Sequence, residues 1–286
     1  NVSYSNIPAD SAVRCVFGDS TFVPAQIAEE SSGGGSLVQC STPRHVAGIA
    51  AVELEVNGLL MSDSDSELTF TYCVEPTLNF VSPTSGPFSG GTALLVALED
   101  VDLLNISDAC VADADVYCKF RESQVITAAT ITSDGSVSCT TPRLPSSLES
   151  LMQKRGLRVF DEQLSISMFG SQGPFVSRSL SFQYHHLPRV MSLHPPRGFA
   201  SGGTRITLRG SNFMSSTALR CKFVTPGYEN SNSTAVEVNA LFVSRTTVIC
   251  VAPASTGDFA SSSRQVRVEV SNNGLDFSSD GLLFEY

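Results

Sequence analysis

The chain has 286 residues, 42% of them hydrophobic and 16% charged, and its 28 acidic against 18 basic side chains give a formal net charge of −10. That length allows two or three domains with cores of their own, and the apolar content argues against disorder. An acidic chain without a basic cluster repels phosphate backbones, and no apolar run approaches the roughly 20 residues of a membrane helix, so neither nucleic-acid binding nor direct membrane insertion is expected.

Taken in order, residues 1–74 carry Cys15-x-Phe17, then Cys40-x-x-Pro43, then the alternating Val52-Glu-Leu54-Glu-Val56, and close on Phe70-x-Tyr72. Alternation with period two predicts a half-buried strand, and Asn57-Gly58 directly after it, like Asn273-Gly274 after the third unit's alternating Val266–Val270, supplies residues that tolerate the positive φ of a tight hairpin. Residues 75–186 open on Pro76-Thr-Leu-Asn-Phe-Val-Ser-Pro83-Thr-Ser-Gly86-Pro-Phe-Ser89-Gly90-Gly91-Thr92. Cys118-x-Phe120, Cys139-x-x-Pro142, the alternating Leu164-Ser-Ile166-Ser-Met168 and the closer Phe182-x-Tyr184 follow. Between the second and third of these the spacing predicts a short helical insertion near 146–156, with a capping box from Ser146 and Glu149, Leu148 and Met152 on one face, and Gly156 as the stop. Residues 187–286 repeat the opener without a gap, from Pro188 through Pro195, Gly198 and Ser201-Gly202-Gly203-Thr204. Ile206-Thr-Leu208, Cys221-x-Phe223, Cys250-x-x-Pro253, Val266-Arg-Val268-Glu-Val270, Asn273-Gly274 and Phe284-x-Tyr286 complete this unit.

Three closers and two openers imply three units, the first truncated at its N-terminal side, with boundaries near 74 and 186. Only Cys73-Val74-Glu75 and His185-His186-Leu187 separate a closing tyrosine from the next opening proline, so the units are expected to form a semi-rigid rod. In each opener the glycine pair reads as a sharp turn into the first long strand. A phosphate loop would need a following Lys-Ser/Thr and a helix, and has neither.

Eight cysteines could be thiols, zinc ligands or disulfides. No Cys-x-x-Cys pair occurs, and Cys15/Cys40, Cys118/Cys139 and Cys221/Cys250 recur at spacings that suit two strands of one sandwich, which leaves Cys73 to pair with Cys110. Closing loops of this size contributes about 3 kcal/mol each. An even count, with sequons at Asn1, Asn105 and Asn232 for N-linked glycans, points to the secretory pathway and to an extracellular or cell-surface location.

The order Pro-x(6)-Pro-x-x-Gly-x-x-Ser-Gly-Gly-Thr, Gly210-Ser-Asn-Phe213, Cys-x-Phe, Cys-x-x-Pro, Asn273-Gly274 and Phe284-x-Tyr286 resembles the IPT/TIG domain, the immunoglobulin-like module of plexins, Met-type receptors and fibrocystin-like surface proteins. Unit two departs from it at Leu98-Glu-Asp-Val101, where a remodelled turn is expected. The resemblance implies an all-β fold of tandem immunoglobulin-like β-sandwiches, and a non-catalytic structural or adhesive segment of a larger surface glycoprotein whose partners are other proteins or copies of itself. A subunit of a self-assembling extracellular filament is the alternative. A DNA-binding TIG domain is the remote one, since it would need a basic, reduced surface.

No catalytic, cofactor-binding or metal-binding residue is assigned. His185, His186 and His194 cluster at one junction and could bind a metal or sense pH, but solvated linker histidines are the favoured reading. Asp63-x-Asp65-x-Glu67 and Asp113-x-Asp115 alternate carboxylates as calcium loops do, without the EF-hand pattern, and solvated acidic loops are the favoured reading there.

Overall fold

A computed structural model describes the chain outside residues 1, 6, 8–10, 19–20, 32–34, 62–67, 100–109, 111–114, 226–233 and 256–264. The sequons at Asn1, Asn105 and Asn232, the carboxylates Asp63, Asp65, Glu67 and Asp113, and the turn at Asp100–Val101 fall outside the described residues. The fold is nearly all β, and it divides into two compact units, Asn1–Glu75 with Ile106–Asp113, and Pro76–Asn105 with Ala114–Tyr286.

The first unit is one sandwich. Its strands are β1 (Val2–Ser5), β2 (Val13–Phe17), β3 (Thr21–Ser31), β4 (Gly35–Cys40), β5 (Gly48–Val56), β6 (Leu59–Met61) and β7 (Thr69–Tyr72), ordered β1-β4-β3-β2-β5-β6 with β7 also on β5. Asn57 and Gly58 both have positive φ, at 52° and 87°, and turn β5 into β6 as the sequence predicts. The core gathers Val13, Cys15, Phe17, Val38 and Leu54.

The second unit holds two further sandwiches. One comprises β8 (Thr77–Ser82), β9 (Ser85–Pro87), β10 (Ala93–Glu99), β11 (Tyr117–Phe120), β12 (Val125–Ile131), β13 (Val137–Thr140), the helix α1 (Ser146–Arg155), β14 (Val159–Ser167) and β15 (Leu180–His185). The other comprises β16 (Arg189–His194), β17 (Arg205–Ser211), β18 (Arg220–Thr225), β19 (Thr234–Ser244), β20 (Thr247–Val251), β21 (Gln265–Ser271) and β22 (Leu282–Glu285). In both, one long strand, β12 or β19, pairs in both sheets and joins them. The alternating segments put one face inward: Val266, Val268 and Val270 are buried, as are Leu164, Ile166 and Met168.

The recurring motifs lock these two sandwiches in the same way. Gly86 and Gly198 pack against the Phe182 and Phe284 rings and the Thr92 and Thr204 side chains, where a Cβ would come within 2.3 Å of the threonine hydroxyl. Gly90 and Gly202, at φ 67° and 78°, lie on the backbone around Pro142 and Pro253, where only glycine fits. The closing tyrosine completes the lock: Tyr184 Oη donates to the Pro142 carbonyl oxygen at 2.9 Å, and Tyr286 Oη to that of Pro253 at 2.8 Å. Burial pushes the Tyr286 phenol up to about 12, and it pushes the Tyr184 phenol higher still, with the nearby Glu162 charge adding to the rise.

Disulfides join Cys15–Cys40, Cys118–Cys139 and Cys221–Cys250, each bridging strands of different sheets in one sandwich, and a fourth joins Cys73–Cys110, with Cα–Cα distances of 6.0–6.4 Å. No described cysteine is free.

Two local expectations are corrected. The helix α1 has Pro145 at its N-cap and no side-chain cap, so Ser146 and Glu149 form no capping box; Glu149 instead faces Arg143 at 3.8 Å. A proline N-cap has no side-chain oxygen to offer the free N–H groups of the first turn. Gly156, at φ 66°, does end the helix. Asn273-Gly274 makes no two-residue hairpin. Only Gly274 has positive φ, and the Asn273 side chain folds back to accept the amides of Leu275 and Asp276 in a wider turn.

Candidate functional site

The opener of the second sandwich forms a ledge at its closing end. β9 runs parallel to β15, so that Ser85, Gly86 and Pro87 lie beside Gln183, Tyr184 and His185. The glycine pair then turns the chain and brings Thr92 back over Gly86. On this ledge sits the turn that follows β21 of the third sandwich. Thr92 Oγ1 donates to Asp276 Oδ2 at 2.8 Å, and Asn273 Nδ2 donates to the Ser85 carbonyl oxygen at 2.8 Å and to Asp276 Oδ2 at 2.7 Å. One carboxylate and one amide side chain thus satisfy each other and both edges of the ledge. Thr92 is buried, as are Gly86 and Pro87.

The turn is rigid for reasons of its own. Asn273 Oδ1 accepts from the Ser271 hydroxyl and from two backbone amides, while Ser271 Oγ accepts the Gly274 amide at 2.9 Å. Next to it Asn272 binds the Met214 amide and the Asn212 carbonyl oxygen, fixing the Gly210-Ser-Asn-Phe213 loop. Asn212 in turn donates to the Leu187 carbonyl oxygen, which ties that loop to the linker.

The linker histidines separate. His185 ends β15 and is buried, with Nδ1 2.9 Å from the His186 carbonyl oxygen and Nε2 without a hydrogen-bond partner among the described residues. Burial holds its pKa below the ordinary 6.5, and the neighbouring His186 side chain pulls the same way, while its bond to the His186 carbonyl oxygen and the Asp276 carboxylate both oppose the shift. His186 is exposed and lies edge-on to Phe88 at 4.6 Å, and His194 is exposed on β16. The solvated-linker reading therefore fails for His185, because β15 runs one residue past Tyr184 and carries it under the joint. Among the described residues no three of His, Cys, Asp and Glu gather as metal ligands. Of the proposed calcium carboxylates only Asp115 is described, and its carbonyl oxygen accepts the Gly170 amide. A cleft of about 500 Å³ opens beside the joint, with Leu157, Val159, His185, Phe213, Phe242 and Arg245 among its walls.

Sequence reasoning singled out Asn273-Gly274 but gave it the wrong task, and it missed Thr92, Ser85 and Asp276 as joint residues. The available signal was Asp276 three residues after Asn273. The matching turn of the second sandwich has Phe169 and Gln172 in those places, and among the described residues none of its hydrogen bonds reaches another sandwich.

A family model described as "IPT/TIG domain" matches residues 188–286. The chain is 23% identical over 295 residues to Plexin-A4 of Danio rerio, covering 99% of this chain and 14% of that protein, and 29% identical over 201 residues to Plexin-A2 of Mus musculus, covering 70% and 9%. Among solved structures, the full extracellular region of Plexin A4, domains 1 to 10, aligns with 99% of this chain and 27% of its own at 15% identity, with a TM-score of 0.41. The chain thus spans a small part of the length of these relatives. Four disulfides require an oxidising compartment. Residues 188–286 thus match the IPT/TIG domain, and the chain is an extracellular or cell-surface tandem of immunoglobulin-like β-sandwiches, similar to segments of plexins.

Proposed function

We propose that the chain is a non-catalytic, semi-rigid segment of a larger extracellular glycoprotein, working through protein–protein interaction by holding successive sandwiches at set angles. The single observation that supports this most is the hydrogen-bonded joint of Thr92, Ser85, Asn273 and Asp276, which is directional and part-buried. A free tether would leave those groups in water. Glycans on Asn1, Asn105 and Asn232 belong to the same reading, and a mass loss on enzymatic deglycosylation of secreted protein would test them.

The role of the joint is tested by residual dipolar couplings on the 286-residue chain. If residues 76–186 and 187–286 are held together, both sets fit one alignment tensor of one magnitude. Two tensors of different magnitude would overturn the semi-rigid reading.

A further inference from the structure

The third sandwich carries the same ledge as the second, and no described residue covers it. Arg197, Gly198, Thr204, Glu285 and Tyr286 stand where Ser85, Gly86, Thr92, Gln183 and Tyr184 stand, with the same glycine-on-threonine packing and the same parallel pairing, here between Arg197 and Glu285. What differs is the cover. Thr92 is 1% exposed and donates to a carboxylate of the neighbouring sandwich, whereas Thr204 is half-buried and its hydroxyl donates to no described residue. Phe199 is 80% exposed, where its counterpart Pro87 is buried. A recess of about 390 Å³ lies here, lined by Arg197, Gly198, Phe199, Thr204, Glu285 and Tyr286.

We propose that the ledge of the third sandwich is a docking site for a turn of another sandwich module of this type, one presenting an Asn-Gly-x-Asp sequence. The chemistry is copied from the joint already seen. The carboxylate of the turn accepts from the Thr204 hydroxyl, its asparagine amide donates to the Arg197 carbonyl oxygen, and its apolar third residue comes down near Phe199. The Arg197 guanidinium stands 3.6 Å from the Glu285 carboxylate at the rim, so the ledge meets an acidic turn without a net negative charge. The turn of the second sandwich cannot serve, having Phe169 and Gln172 in the two required places.

The test joins a second copy of residues 185–286 directly after Tyr286, which reproduces the natural spacing between a closing tyrosine and the next sandwich. Hydrogen exchange of the segment 197–206 is expected to slow about tenfold relative to the unextended chain, and to recover when Asp276→Ala is placed in the added copy alone or Thr204→Val in the original. Unchanged exchange in a folded fusion, or slowing that survives both substitutions, overturns the proposal. Should the added copy not fold, a cyclised peptide spanning Ser271–Ser278, titrated into the unextended chain, is expected to shift the Gly198 and Thr204 amide resonances. No shift at millimolar peptide, or an equal shift with the Asp276→Ala peptide, overturns it. The outcome is separable from the dipolar-coupling test, which concerns only the joint on Thr92.

Discussion

The closing tyrosines show what one hydroxyl contributes when its surroundings differ. Tyr184 and Tyr286 each reach a proline carbonyl oxygen, while the Tyr72 hydroxyl is buried with no partner among the described residues and its ring stacks on His45 at 4.7 Å. Removing an oxygen that is hydrogen-bonded leaves a part-buried carbonyl without its donor, whereas removing one that is already unpaired relieves a desolvated group. Tyr184→Phe and Tyr286→Phe are therefore each expected to lower stability by about 1 kcal/mol, and Tyr72→Phe to be neutral or slightly stabilising, as read from denaturant midpoints at constant slope. A loss at Tyr72 equal to the other two would show that the carbonyl contact is not the source. The glycines separate in the same manner. Gly91 has φ 88° and open space around its Cα, so Gly91→Ala carries backbone strain of about 1–2 kcal/mol and leaves the joint intact. Gly86→Ala places a methyl against Thr92 Oγ1 and is expected to break the Thr92–Asp276 bond as well, which appears as two alignment tensors for residues 76–186 and 187–286.

At the scale of elements, β15 sets a pH dependence. Burial depresses the His185 pKa, so the unfolded chain binds a proton on this residue at a pH where the folded one does not. Stability tied to His185 is thus full above the unfolded value near 6.5, falls as the pH drops through it, and levels off only below the lower folded value. Asp276 is the acidic group facing it, and His186 the basic one. The melting temperature of the second unit is expected to fall between pH 7.5 and 5.5, and to fall less in His185→Asn; equal slopes would remove His185 as the cause. Of these elements the sequence made the strands legible, because period-two alternation and paired cysteines have no other economical reading. It made Asn57-Gly58 legible as a hairpin but misassigned the same dipeptide at 273–274, since the choice there is made by Ser271, Asp276 and a ledge 184 to 188 residues away in the chain. The burial of His185 was hidden for a similar reason: a linker and a strand end look alike until the next sandwich is seated on it.

On the scale of the whole molecule, the two units have separate cores of unequal depth. Among the described residues the first unit buries five apolar side chains in one cluster, while the third sandwich alone buries fourteen. Apolar burial is the main favourable term, at about 25 cal/mol per Å², so the first unit should be the weaker and melt first, giving two calorimetric transitions. Disulfide loss then assigns them. Cys15–Cys40 encloses a 25-residue separation and Cys118–Cys139 one of 21, so each limits its unfolded unit by a similar amount, about 3 kcal/mol. For a unit of the first one's size that corresponds to a drop on the order of 10 °C or more. The Cys15→Ser, Cys40→Ser double variant is expected to lower only the first transition, and Cys118→Ser, Cys139→Ser only the second. A single transition displaced by either pair would mean that the units unfold as one.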